Sequence, residues 1–165
     1  MDRNVSAPAR PGAGDVHDED GGRWVTARIG LNGFRTEIEA RSHGLVADEP
    51  TTLGGTDRGP TPYELLLGAL GGCMAMTLRM YADRKGWPLE GVEVQLRTAQ
   101  SHEADCVQCD EKDVGITTVE RRLELLGTLT DAQRARLLEI ADRCPVKQTL
   151  ERGIGIRDQG PGIRG

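Results

Sequence analysis

From Trp24 the chain alternates apolar and polar positions, with Val25, Ala27 and Ile29 on one face and, beyond Asn32-Gly33, Phe34, Thr36, Ile38 and Ala40. Period-two alternation on both sides of an Asn-Gly pair predicts a β-hairpin. Asp48-Glu49-Pro50 and Gly54-Gly55-Thr56-Asp57-Arg58-Gly59-Pro60 follow, and this density of turn formers predicts a loop over residues 48–60. Thr61-Pro62-Tyr63-Glu64 then supplies a capping threonine, proline at the first helical position and glutamate at the third. The helix it opens runs to about Lys85, where Gly86-Trp87-Pro88 stops it. Its uncharged stretch, Leu65 to Leu78, is too short to span a bilayer and reads as a buried core helix.

Two alternating segments come next, Val92, Val94 and Leu96 in one and Val119, Leu123 and Leu125 in the other. Arg121 falls in phase with the apolar set of the second, which weakens that strand assignment. Thr130 and Gln133 form a second capping box, opening a helix through Leu137, Leu138 and Ala141. Pro145 must interrupt it, because proline has no backbone N–H to donate, and a short helix restarts from Pro145 to Glu151. Ile154 and Ile156 suit a last strand. The order is two strands, a long helix, two strands, a broken helix and a strand, joined by hairpins. That order predicts an α+β fold with a largely antiparallel sheet, a long buried cysteine-bearing helix and a second, broken helix.

At 165 residues the chain suits one domain, and its 22 glycines are about twice the usual share. Residues 1–21 carry two arginines against five acids and no apolar period, so they are expected to be a disordered tail. Residues 158–165 are expected to be a flexible C-terminus, leaving 22–157 as the domain. The net charge is −5, with no basic run and only five aromatic residues, which argues against a nucleic-acid binder. Residues 1–21 hold no apolar leader-like run, and the expectation is a cytoplasmic protein without a membrane partner.

The four cysteines divide into Cys73 and Cys144, each in its own context, and the local pair Cys106 and Cys109. Cys73 lies mid-helix among apolar residues, after Gly71 and Gly72, and suits either a reactive thiol or an inert core residue. Gly68, Gly71 and Gly72 each cost about 1 kcal/mol relative to alanine in a helix interior, which close approach of another backbone would offset. Cys144 precedes Pro145 at a helix start, beside Arg143 and Lys147, where positive charge favours a thiolate. His102, Cys106 and Cys109 offer three metal-compatible ligands within eight residues, but no second ligand pair accompanies them, so an exposed dithiol loop is an equal reading.

The run Gly59-Pro60-Thr61-Pro62-Tyr63-Glu64-Leu65-Leu66-Leu67 through Gly72-Cys73, with Cys144-Pro145-Val146 later, resembles the OsmC-like family, which includes the organic hydroperoxide resistance proteins. The resemblance spans roughly residues 22–157. It implies an intertwined homodimer without a cofactor, acting as a thiol peroxidase on organic hydroperoxides and recycled by a dithiol reductant. Cys73 would attack the peroxide and Cys144 would resolve the resulting sulfenic acid. The family's supporting arginine comes from the first hairpin, where Arg28 and Arg35 stand. Desolvation raises a mid-helix thiol, so a cation such as Arg35 is expected beside Cys73. The family's glutamate directly follows the helix-opening proline, whereas here Tyr63 does and Glu64 comes next. Nine residues separate Glu64 from Cys73, half a turn out of phase, so Glu64 reads as a cap more than as a cysteine partner. Leu66, Leu70, Met76 and Met80 suit either a pocket for an apolar peroxide or plain core. The competing function is a non-enzymatic redox or metal-responsive binding protein built on His102, Cys106 and Cys109.

Overall fold

The opening alternation does form a hairpin. In the computed structural model, which describes residues 24–100 and 117–157, β1 (Val25–Ile29) and β2 (Thr36–Ala40) pair antiparallel with Val25 opposite Ala40 and Ile29 opposite Thr36. The connection is wider than the Asn-Gly pair suggests, because Phe34 falls within it and β2 starts only at Thr36. Gly33, at φ 71°, supplies the left-handed residue of the turn.

A further strand, β3 (His43–Ala47), pairs with the other side of β2 and does not follow from the periodicity. Its turn is Arg41-Ser42, with Arg41 at φ 57°. Tight turns of this kind normally advertise themselves with glycine or asparagine, and arginine in that conformation gives no such signal.

Residues 48–60 are a loop as expected, with one 3-10 turn at Thr51–Leu53, and a buried carboxylate organises it. Asp48 accepts hydrogen bonds from the backbone N–H groups of Glu49 at 2.8 Å, Thr56 at 3.2 Å and Arg58 at 3.2 Å, and from the Thr56 hydroxyl at 2.5 Å. The loop closes so tightly that a Cβ on Gly55 would lie 1.8 Å from the Glu49 carbonyl oxygen. Part of the glycine surplus is thus spent on backbone contact in this loop.

The chain divides into two compact units, Met1–Leu65 and Leu66–Gly165, and the three-stranded sheet with its loop belongs to the first. Helix α1 (Pro62–Lys85) opens with the expected box: the Thr61 N–H donates to Glu64 at 2.7 Å, and the Glu64 N–H donates to the Thr61 hydroxyl at 3.3 Å. Its buried residues, Leu70, Met74, Leu78 and Ala82, recur every four positions and form one stripe.

In the second unit β4 (Gly91–Gln100) and β5 (Thr117–Leu126) form an antiparallel ribbon with Gly91 opposite Leu126 and Gln100 opposite Thr117. Alternation puts Val92, Val94 and Leu96 on the same face as Leu125, Leu123 and Arg121, and the α1 stripe packs there. Helices α2 (Asp131–Ala141) and α3 (Pro145–Arg152) follow, divided at Pro145 as expected. Thr130 and Gln133 make the predicted capping box, and Leu137, Ile140 and Ala141 join Leu78, Ala82, Leu89, Leu125 and Leu129 in the larger core cluster.

Four expectations need correction. The strand at Ile154 and Ile156 does not form: residues 153–157 carry no regular element, both isoleucines are exposed, and Gly153 at φ 83° turns the chain away from extended pairing. Helix α1 is buried along one stripe only, and by length and composition it would also pass for a membrane span. Its seating on the β4–β5 ribbon is the packing of a core helix. Arg121 belongs to a genuine strand, for reasons given below. Of the three helix glycines only Gly71 meets a neighbour, Leu96 at 3.4 Å, whereas among the described residues nothing lies within 4 Å of a Cβ at Gly68 or Gly72.

The Thr56 hydroxyl, and with it the three backbone N–H groups, hold the Asp48 carboxyl below its usual pKa against the upward push of burial. A lowered folded-state value contributes stability that is present above the ordinary carboxylate pKa of about 3.9 and is lost as pH falls through the lowered value. Asp48→Asn is therefore expected to be less stable than wild type at pH 7 and to lose less on acidification. Urea unfolding of both proteins at pH 7 and pH 3 checks this, and equal acid losses would contradict it.

Candidate active site

The middle of α1 brings Cys73 beside the break between α2 and α3. Cys144 is buried with Leu70 and Met74, and Cys73, Val94, Leu96, Val146 and Leu150 pack around them. Helix α2 ends in a turn at Asp142 and Arg143, and Cys144 becomes the N-cap of α3 because Pro145 fits the first helical position. Both cysteines are free thiols. Local sequence alone left Cys73 open as an inert core residue; the fold instead gives it another thiol as a direct neighbour.

The two thiols are unequal. Burial pushes the Cys73 thiol up, but hydrogen bonds from the Cys144 thiol, the Val146 backbone N–H and the Thr77 hydroxyl outweigh it and leave Cys73 below its ordinary value. The Val146 N–H is one of the first-turn donors of α3 that no carbonyl of its own helix can satisfy. The Thr77 hydroxyl also lies 2.8 Å from the Cys73 carbonyl oxygen. It has one proton to give, so the principal donors to sulfur are Cys144 and Val146. For Cys144 the order is reversed: burial first, then donation to Cys73, raise its pKa against the pull of the Lys147 and Val146 backbone N–H groups. Of the two, Cys73 therefore ionises more readily, with the Cys144 thiol placed to donate to it.

This corrects one expectation. Positive charge at the α3 start was expected to favour a Cys144 thiolate, but Cys144 is buried and the Lys147 ammonium is occupied by Glu151 at 2.6 Å and Asp142 at 3.6 Å. An arginine was expected beside Cys73; the donors that its own unit supplies, Cys144, Val146 and Thr77, are uncharged. Arg28 and Arg35, in the first unit, hold Glu39 at 2.9 Å and Glu37 at 2.8 Å of their own sheet. Glu64 is held in the capping box at the start of α1. His102, Cys106 and Cys109 lie outside the described residues, and among the described residues no group of three potential metal ligands comes together.

Beside the dithiol lies a cleft of about 550 Å³ lined by Leu70, Met74, Leu96, Val119 and Leu150 with Arg121, Asp142, Lys147 and Glu151. Of the stripe proposed for an apolar pocket only Leu70 lines it, while Leu66, Met76 and Met80 are exposed. Met74, Leu96 and Leu150 take their place because the cleft opens between α1, the ribbon and α3. The residue that sequence reasoning missed is Arg121. Its signal was present, a charge on the apolar phase of a strand, but it read as evidence against the strand.

A family model described as OsmC-like protein matches residues 55–157. Among solved structures, an OsmC-like protein from Mycoplasma pneumoniae is similar with a TM-score of 0.58 at 15% identity, covering 82% of this chain and 83% of that one. An organic hydroperoxide resistance protein OsmC from Legionella pneumophila gives 0.54 at 22% identity, covering 76% of this chain and 85% of that one. An organic hydroperoxide resistance protein from Elizabethkingia anophelis gives 0.55 at 19% identity, covering 75% and 84% respectively. At these identities the likeness is one of fold. No protein of curated function matches the sequence.

Iodoacetamide at neutral pH is expected to modify Cys73 ahead of Cys144, with a pH midpoint for Cys73 below that of Cys144. Peptide mapping of partially alkylated protein reads the order. Prior labelling of Cys144 would reverse the assignment of thiolate and donor.

Proposed function

This chain belongs to the OsmC-like family, and from that footing we propose that it is a thiol-dependent peroxidase that reduces organic hydroperoxides to alcohols. The observation that carries the reading is the contact between Cys73 on α1 and the buried Cys144 at the start of α3. The two relatives named as organic hydroperoxide resistance proteins support the choice of substrate class.

In the proposed reaction the Cys73 thiolate attacks the terminal oxygen of the hydroperoxide. An S–O bond forms, the O–O bond breaks, and the departing alkoxide takes up a proton to leave as the alcohol. Sulfur is oxidised to sulfenic acid and the peroxide is reduced. Cys144 then attacks the sulfenic sulfur, the S–S bond forms and water leaves. A dithiol reductant returns both cysteines to thiols. The apolar wall of Leu70, Leu96, Val119 and Leu150 suits the organic part of the substrate. Arg28 and Arg35 are the candidates for the family's arginine, and either would have to release its glutamate to serve the site.

Cys73→Ser is expected to abolish turnover with an alkyl hydroperoxide and a dithiol, whereas Cys144→Ser consumes about one equivalent and stalls with Cys73 oxidised. Single-turnover peroxide consumption distinguishes them. A burst retained by Cys73→Ser and lost by Cys144→Ser would exchange the two roles.

The proposal includes a homodimer. Met76 and Met80 leave apolar surface exposed on α1, and the open face at Gly68 and Gly72 allows another chain to approach. Light scattering at micromolar concentration is expected to return twice the chain mass of 17.9 kDa, and a monomeric mass would exclude the intertwined arrangement.

A further inference from the structure

Two charges of the second unit break the local rules of the elements that carry them. Arg121 stands on the helix-facing side of β5, opposite Leu96 and in phase with Val119 and Leu123, where the strand otherwise presents apolar side chains. Asp142 occupies the C-cap of α2, where the helix dipole disfavours a carboxylate. Each accounts for the other. Arg121 Nη1 donates to Asp142 Oδ1 at 3.2 Å and lies 3.9 Å from the Met74 sulfur. Met74 directly follows Cys73, and Asp142 is two residues before Cys144. One side chain from the ribbon therefore touches both segments whose cysteines must meet.

Lys147, in the first turn of α3, lies 3.6 Å from the same Asp142 carboxylate and 2.6 Å from Glu151. Arg121, Asp142, Lys147 and Glu151 are the charged residues lining the cleft by the dithiol, two of each sign. Pro145 fixes where α2 ends and α3 begins, but no side-chain hydrogen bond caps α3 at Cys144. We propose that Arg121 is a positioning residue that, through Asp142, seats the Cys144 turn against Cys73 and thereby maintains the donors that stabilise the thiolate.

The role rests on the two-cysteine site described above, but its test does not need peroxide. Alkylation of Cys73 as a function of pH is followed in wild type, Arg121→Gln, Asp142→Asn and the double variant, with thermal melting alongside. Arg121→Gln is expected to raise the Cys73 midpoint and lower alkylation at neutral pH by about three- to tenfold, because the Cys144 and Val146 donors are no longer held in place. Asp142→Asn, a change at an exposed side chain, is expected to act in the same direction, and the double variant to be no worse than the stronger single one. Arg121→Lys, which keeps the charge and loses the fork, is expected to recover part of the effect.

A loss of melting temperature with an unmoved Cys73 profile in both single variants would reduce Arg121 to a structural role and overturn the proposal. Additive effects in the double variant would also overturn it, since the two side chains would then act separately. Absence of peroxide turnover in the wild type would sink the peroxidase reading and leave this alkylation result standing.

Discussion

A half-buried thiol midway along an apolar helix is hindered from ionising by desolvation, and the second unit answers that penalty with the N-terminal end of another helix. Cys73 cannot draw on the backbone of α1, whose interior N–H groups are committed to carbonyls one turn back. It draws instead on the Val146 N–H and the Cys144 thiol, which become available only where α3 begins. The rest of the arrangement follows from keeping that helix start on that sulfur.

Pro145 is the device that makes such an end possible. A continuous helix from Asp131 onward would spend the Val146 N–H on its own ladder and carry Cys144 as an ordinary side chain. Without an N–H, proline ends the ladder, leaves first-turn donors free and turns Cys144 into an N-cap. The same hydrogen bond that lowers Cys73 raises Cys144, so proximity makes the two thiols unequal. That asymmetry would be lost if the pair were separated by a single turn of helix.

The β4–β5 ribbon provides the floor. Val94 and Leu96 pack under Gly71, where the missing side chain lets the helix lie close, and Arg121 replaces an apolar residue one step further along the same face. An inward arginine on a core face has to be satisfied, and Asp142 does so from the turn that leads to Cys144. The cleft between these elements is consequently lined by both apolar and charged side chains.

Much of this was legible in the sequence because it depends on residues close together in the chain. Thr61 with Glu64, Thr130 with Gln133, and Pro145 marked helix starts through bonds that span three residues or fewer. Period-two alternation marked β1, β2, β4 and β5 for the same reason. The strand β3 was hidden because its turn uses Arg41 in a left-handed conformation that arginine seldom adopts, and Ile154 and Ile156 were misread because alternation alone does not make a segment pair: both follow Gly153 at positive φ and are exposed. The identities of Cys73 and Cys144 as a pair came from resemblance to a family. Their inequality belongs to the tertiary structure alone, since it is set by which sulfur is desolvated and which donors face it across elements 71 residues apart in the chain. The sequence by itself determined where the three α-helices start and which residues carry the sulfur. Only the packing of α3 on α1 decided which thiol ionises more readily, because a pKa is a property of surroundings that no local pattern encodes.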